Sequence, residues 1–490
     1  VAYAQQQPQK VEKVEVTGSN IKRTDVETVA PVTIITREDI ERTGKPTVAE
    51  VLRGITANAG QSYNETFTNS FSPGATGISL RGLGQKSTLV LVNGRRMASY
   101  GFAQNIQDTY VDINSIPAAA VERIEVLKAG ASAIYGSDAI AGVINIIMRK
   151  DYRGVDVAAS VGTSKYSDLN EYRASIAAGM GDVARDKYNV LAVLDYYKRD
   201  GITYADRPST QNEDYRAFGG GSLVRGTRGA YVYPNAAGRV AFPGCADGDR
   251  IAANVLNSTL SGTSCVYNDA PYVNLFPATQ RIGLVTRGTL ELSPTLTLFG
   301  ELGFNHNETS QSTTPASLGS TSLVFNPATG GVRQISNFLP VGNPSNPYSA
   351  ATRVLYTFFD VGLRKDEITT DAGRAVVGAK GLLGAWDYEV GAGVAQSKTE
   401  QVNANRVNAV VLENAIAAGT YNFLSPAAGT IRANDLRINP ARNATSDLSF
   451  VDAKVSGELM PLPAGALAMA AGVEYRRESL KDRPDPLSTG

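Results

Sequence analysis

Leu296-Thr297-Leu298-Phe299-Gly300-Glu301-Leu302-Gly303-Phe304 alternates apolar and polar residues with a period of two. Leu296, Leu298, Leu302 and Phe304 share one face, while Thr297, Glu301 and Gly303 share the other, with Asn305 just beyond. Strand side chains point alternately to opposite faces, so the pattern reads as a strand that is greasy on one side and wet on the other. The split recurs in Tyr188, Val190, Ala192, Leu194 and Tyr196 against Asn189 and Asp195. It recurs again in Trp386, Tyr388, Val390, Ala392 and Val394 against Asp387, Glu389 and Gly391, and in Leu467, Met469, Ala471, Val473 and Tyr475 against Glu474 and Arg476. Tyr188 and Tyr196 stand at opposite ends of one outward face, where a membrane barrel carries its aromatic girdles.

Working outward, the pattern predicts about nine strands of barrel length, near 155–162, 171–180, 187–200, 281–293, 295–309, 358–381, 386–400, 447–460 and 465–479. Short turns at 181–186, Ser293-Pro294, Leu383-Gly384 and 460–465 alternate with long polar loops at about 201–280, 310–357 and 401–446. Outer-membrane barrels alternate their connections in this way, whereas a soluble β-sandwich would turn at regular short intervals. Nothing helical is expected after Tyr152, and nine strands are too few to close.

Composition is compatible with this reading. Lys+Arg and Asp+Glu both total 47 in 490 residues, so no basic excess points to nucleic acid or a polybasic anchor. The longest clean apolar stretch, Ala139 to Met148, is about half of the 18 residues a membrane helix needs. Val1-Ala-Tyr-Ala4 resembles the end of a secretory signal, which implies export. Cys245 and Cys265 lie close together in a polar stretch, as a loop disulfide would in an oxidising compartment; two free thiols are the alternative.

Ahead of the barrel strands, residues 29–152 read as a small α+β domain. Val32-Thr-Ile-Ile35 is a strand, Thr36-Arg-Glu-Asp39 a capping box whose helix Gly44 would stop, and Thr47-Val-Ala-Glu50 a second box. Strands follow at Gly77–Leu80, Leu89–Val92 with a turn at Asn93-Gly94, Ile124–Leu127 and Val143–Ile147. Before this domain, Val11-Glu-Lys-Val-Glu-Val-Thr-Gly-Ser19 alternates valines in a segment able to add a strand to another protein's sheet edge. On pattern alone it pairs equally well within the domain's own sheet; its position outside the folded domain favours strand donation.

The sequence resembles the TonB-dependent receptor family. The resemblance rests on Pro31–Ile40, Ile78-Ser-Leu-Arg-Gly-Leu-Gly84, Leu89-Val-Leu-Val-Asn-Gly-Arg-Arg96, Val121-Glu-Arg-Ile-Glu-Val-Leu-Lys-Ala-Gly130 and Ala133–Ile147, with looser matches at Arg281–Gly288, Leu298–Leu302 and Ala471–Arg476. It implies a plug domain inside an antiparallel transmembrane β-barrel of 22 strands, located in the bacterial outer membrane. This chain then comprises the end of a signal peptide (1–4), an N-terminal extension (5–28), the plug (29–152) and an incomplete first part of the barrel (153–490). By the same resemblance Val11, Glu12, Lys13, Val14, Glu15, Val16 and Thr17 form the box seized by TonB, which works with ExbB and ExbD. The implied function is energy-coupled uptake of a scarce extracellular ligand such as a siderophore, carbohydrate or peptide, without catalysis, cofactor or metal. A non-functional truncated fragment, or a surface receptor or adhesin without transport, is the alternative.

Two sets of residues are expected to carry that function. Arg81 and Arg123 in the plug, with Glu301, Glu389 and Glu474 on the inner barrel face, would form an ionic latch, since charges in a partly dry lumen are costly unless paired. Tyr63, Asn64, Phe67, Asn69 and Phe71 in one plug loop, and Tyr100, Phe102, Gln104, Asn105 and Tyr110 in another, offer aromatic faces and amides to a ligand. An enzyme finds little support: His306 is the only histidine, and no Gly-x-Ser-x-Gly elbow or metal-binding spacing accompanies it. A passive porin would need neither plug nor strand-donating segment.

Overall fold

The computed structural model describes residues 17–18, 32–58, 60–68, 70–128, 132–212, 219, 226–232, 238–255, 259–319, 323–326, 329, 331–463 and 465–489. Residues 1–4, most of the 5–28 extension and Asn69 therefore lie outside the described residues.

The first unit is a five-stranded mixed sheet, in the order β1 (Val32–Thr36), β4 (Val121–Leu127), β5 (Gly142–Met148), β2 (Thr88–Val92), β3 (Arg95–Arg96). Only the β2–β5 pair is parallel; the rest are antiparallel. Helix α1 (Arg37–Arg42) starts at the Thr36 cap, whose hydroxyl accepts from the Asp39 amide while Asp39 accepts from the Thr36 amide. Helix α2 (Val48–Arg53) is capped from one side only, by Thr47 on the Glu50 amide. Leu52, Leu80, Val90, Ile124, Ile144 and Ile146 fill the core between these elements. Gly77–Leu80, expected as a strand, is a single bridge at Gly77 followed by a 3₁₀ turn over Leu80–Gly82. The left-handed backbone of Arg81 (φ 57°) breaks an extended run there.

The second unit is one nine-stranded antiparallel sheet in which every strand pairs with its sequence neighbours. Its strands are β6 (Gly154–Gly162), β7 (Glu171–Met180), β8 (Tyr188–Arg199), β9 (Ala278–Ser293), β10 (Leu296–Thr313), β11 (Arg364–Leu383), β12 (Trp386–Ala404), β13 (Ala441–Leu462) and β14 (Gly465–Pro484). Leu298, Leu302 and Phe304 are exposed on the outer face while Phe299 and Glu301 are buried on the inner one. The inner face is not wet throughout: Ala177, Leu191 and Val193 join the apolar core of the first unit. Hydrophobic contact, not only polar contact, therefore fixes the plug to β7 and β8. No described helix is long and apolar enough to cross a membrane.

The long connections are built, contrary to the expectation of polar loops without helix. Strands Gly226–Val232, Gly238–Ala241, Ser261–Tyr267 and Thr352–Thr357 share one sheet, and Cys245 is disulfide-bonded to Cys265. A ten-residue helix, α3 (Ala409–Ala418), starts at the Asn408 cap and ends at Gly419 in the left-handed conformation. Tyr231, Phe242, Phe358, Leu412, Tyr421 and Phe423, drawn from all three connections, form a second core. That core joins all three connections, so their packing rests on contacts between segments far apart in sequence.

Candidate functional site

The turn between β2 and β3 delivers the plug's contact with the wall. Asn93 (φ 50°) and Gly94 (φ 77°) both sit in the left-handed region, the geometry of a tight two-residue hairpin. The turn projects Arg95 across the lumen. Its Nε and Nη2 donate to the two carboxylate oxygens of Asp452 on β13, each at 2.8 Å, and Nη2 also donates to Glu389 on β12 at 2.8 Å. The guanidinium lies over the Phe299 ring, 5.3 Å from its centroid. Burial pulls the Arg95 pKa down, but its bonds and charges from Asp452 and Glu389 more than offset that, and the group stays firmly cationic.

Asn93 adds a second contact from the same turn. Its Nδ2 donates to Glu301 at 2.8 Å, and its Oδ1 accepts from the Met148 amide at 2.9 Å. Glu301 also accepts from Arg287 at 2.8 Å and Arg374 at 2.9 Å, both on the wall. Arg374 reaches the Val92 carbonyl at 3.2 Å, so this carboxylate joins plug and wall through neutral as well as charged donors.

The expected pairing of latch residues needs correction. Arg81 donates to the carbonyls of Ile140 and Ala141, and Arg123 pairs with Glu125 two residues away; both stay within the plug. Glu474 pairs with Arg476 on its own strand. Glu301 and Glu389 do face the plug, but their plug partners are Asn93 and Arg95. Arg95 stood in the quoted Leu89–Arg96 stretch, yet only the hairpin geometry reveals that it, and not the arginines of the other motifs, points at the wall. Asp452 gave no signal, because which plug residue it meets depends on tertiary placement and not on the alternation of its own strand.

Thr17, the last residue of the Val11–Thr17 segment, is buried in the plug; residues 11–16 lie outside the described residues. Its amide and hydroxyl donate to Glu125 Oε2 at 3.0 and 2.5 Å, and its hydroxyl accepts from Asn145 at 2.9 Å. Glu125 and Asn145 are inner residues of β4 and β5. A chamber of about 520 Å³ at the short-turn end is lined by Thr17, Arg95, Glu125, Glu389 and Asp452. The seat of the N-terminal segment and the Arg95 contact therefore open onto one space.

At the opposite end the two expected ligand loops differ. Tyr63 and Phe67 stack at 4.9 Å with 16° between their planes, and Phe67 and Phe71 are exposed. Asn64 is half-buried and Asn105 exposed. Tyr100, Phe102, Gln104 and Tyr110 are buried, which removes their faces from any ligand reached from outside. The Tyr100 hydroxyl donates to the Pro73 carbonyl at 2.6 Å, and Arg442 of β13 covers the Phe102 ring at 4.2 Å. The second loop's aromatic residues thus pack the plug against the wall. His306, the sole histidine, lies beside Asp371 and Glu308.

Residues 24–143 match the family model for the TonB-dependent receptor plug domain. The chain is 36% identical over 219 residues to the vitamin B12 transporter BtuB of Vibrio cholerae, a match covering 43% of this chain and 32% of that protein. The chain therefore spans about a third of the length of the curated relative it matches. Among solved structures, a ferric enterobactin receptor (PfeA) mutant from Pseudomonas aeruginosa is 15% identical with a TM-score of 0.44, covering 94% of this chain and 56% of that one. The siderophore receptor PiuA from Acinetobacter baumannii is 14% identical with a TM-score of 0.38, covering 98% of this chain and 66% of that one. Residues 24–143 are thus a TonB-dependent receptor plug domain, and a nine-stranded antiparallel sheet of barrel strands follows it in the chain.

Proposed function

We propose that this chain is the plug-bearing part of an energy-coupled uptake receptor, in which TonB, acting with ExbB and ExbD, pulls the Val11–Thr17 segment from the periplasm. The observation that carries the reading is the shared chamber: Thr17 is bonded to β4 and β5, and the β2–β3 turn bearing Asn93 and Arg95 belongs to the same sheet. Tension applied at Thr17 reaches Glu125 and Asn145 first. From Asn145 it passes to the Asn93-Gly94 turn, whose Gly94 amide donates to Asn145 Oδ1 at 2.9 Å. A bonded, paired contact such as Arg95 with Asp452 and Glu389 holds the plug at rest, yet reseals once released because its partners are fixed on the wall.

Ligand binding at the outer surface biases the equilibrium between a seated and a released N-terminal segment, as differential affinity requires. Tyr63, Phe67 and Phe71, with Asn64 and Asn105, form the plug's share of that surface. Cobalamin, from the vitamin B12 transporter that the chain resembles, is the first probe; ferric enterobactin is tested beside it, because a hydroxylated, ring-bearing solute fits the aromatic and amide groups equally. The test is deletion of residues 11–17 in a strain dependent on this receptor. Uptake of labelled cobalamin or ferric enterobactin should be lost while surface binding persists; uptake unaffected by the deletion refutes energy coupling.

A further inference from the structure

The outer loop that presents Tyr63 and Phe67 is seated on the barrel wall by one buried carboxylate. Glu65 Oε1 accepts from Arg199 Nη1 at 3.1 Å and from Arg281 Nη2 at 3.2 Å, and its Oε2 accepts from the Thr76 hydroxyl at 2.8 Å. Arg199 closes β8 and Arg281 lies near the start of β9, so a single side chain from the plug bridges two neighbouring strands. The three side chains are only 9%, 4% and 7% exposed.

Both arginines are held by the wall itself. Arg199 also donates to the Pro277 carbonyl at 3.1 Å and lies over the Phe276 ring; Arg281 also donates to Asn307 at 3.3 Å and lies over the Tyr197 ring. Each therefore keeps a wall contact besides the loop carboxylate. Burial pushes the Glu65 carboxyl up, but Arg281 and Arg199 outweigh it and leave the group at about 2, ionised throughout the physiological range. Neighbouring wall groups extend the seam: Gln311 donates to the Thr68 carbonyl at 3.1 Å and Asn307 to the Gly74 carbonyl at 3.5 Å. The Arg95 contact lies at the other end of the lumen on β12 and β13, sharing neither a strand nor a residue with this one.

We propose that Glu65 is the positioning residue of the ligand-facing loop, docking it on β8 and β9 independently of the Arg95 contact so that Tyr63 and Phe67 stay presented outward. The use of this docking rests on the reading of the loop as a ligand surface; the docking itself is testable without any ligand.

A spin label at Phe67→Cys in the full chain reads it, since Cys245 and Cys265 are paired and do not label. A single slow spectral component is expected, with at least a threefold rise in the mobile fraction for Glu65→Ala and a smaller rise for the shape-preserving Glu65→Gln. Adding Arg199→Ala and Arg281→Ala to Glu65→Ala should produce no further rise, because partners in one cluster are non-additive, and Arg95→Ala should leave the label unchanged. An unchanged spectrum in the Glu65 variants, additive loosening, or equal loosening by Arg95→Ala overturns the proposal. If Glu65→Ala does not assemble, Glu65→Gln alone decides. Separately, if the Phe67→Cys label reads a docked loop and Tyr63→Ser with Phe67→Ser leaves uptake intact, the ligand surface is refuted and not the anchor.

Discussion

Arg95 and Asp452 are separated by 357 positions in the sequence, yet two nitrogens of the one meet two oxygens of the other at 2.8 Å each. That fork brings a plug hairpin and β13 together, with Glu389 as a third member. A bidentate guanidinium–carboxylate pair fixes direction as well as distance, so the turn cannot slide along the wall without breaking both bonds.

Arg95→Ala should loosen the plug more than its small size suggests. Two carboxylates, 23% and 19% exposed, would lose the cation they share, with only Lys454 left beside Glu389 at 3.7 Å. Removing one partner of such a cluster costs about 3 kcal/mol. Release of the plug from the barrel in urea, followed by protease sensitivity of residues 32–148, should shift accordingly. Asp452→Asn combined with Arg95→Ala should cost less than the two single effects summed; strict additivity refutes the pair.

Glu125→Gln should free the N-terminal segment while sparing the plug's fold. Thr17 donates to this carboxylate through both amide and hydroxyl, and bonds to a charged acceptor contribute about 1.5–3 kcal/mol. Proteolysis ahead of Thr17 follows the open population when reclosing is fast, so cleavage should accelerate tenfold or more. An unaltered cleavage rate in a correctly assembled variant means that Thr17 is not held there.

Asp112 should make the plug less stable at high pH, the reverse of the usual carboxylate. Burial lifts its carboxyl from 3.8 to about 6, against the opposing bond from the Thr76 amide and the charge of Arg281. Between those values the folded state holds a proton that the unfolded chain has released, so stability falls as pH rises from about 4 to about 6 and stays lower above that. The cost at pH 8 is on the order of 3 kcal/mol. Asp112→Asn should remove this dependence and keep acceptance from the Thr76 and Asn114 amides. Urea midpoints at pH 5 and pH 8 check both statements.

Leu302→Arg should block assembly where a charge at the neighbouring position is native. Leu302 is 61% exposed on the outer face while Glu301 is buried inside. Arginine facing lipid near mid-membrane costs about 2–4 kcal/mol. Recovery in the outer-membrane fraction should drop; normal recovery would place that face outside lipid.

Cys245→Ser should loosen the outer module alone. The crosslink closes a separation of 20 residues, for which chain entropy gives about 3 kcal/mol. Protease sites within 238–267 should open, while the nine-stranded sheet keeps its resistance.

Much of the architecture is a local property of the chain. Alternation from Leu296 to Phe304 is enough to make a two-faced strand, because side-chain direction follows backbone pleat without help from the rest of the molecule. The Thr36–Asp39 cap and the Asn93-Gly94 turn are likewise decided within a few residues. These signals place the plug and all nine barrel strands. Helix α3 escaped notice because ten alanine-rich residues carry little amphipathic signal; its capping Asn408 and closing Gly419 were the available clues.

What the sequence by itself determined is therefore the kind of object: a small α+β plug followed by two-faced strands that need lipid outside. Which charges meet was decided only by the tertiary structure. Arg81, Arg95 and Arg123 are chemically alike and all lie in plug motifs, but backbone direction turns two of them inward to the plug's own carbonyls and carboxylate and one outward to Asp452 and Glu389. The same holds for Tyr100 and Phe102, which look like ligand faces in the chain and are buried once β13 passes over them. Pairing and burial depend on register between segments hundreds of residues apart, and short-range pattern carries no information about that.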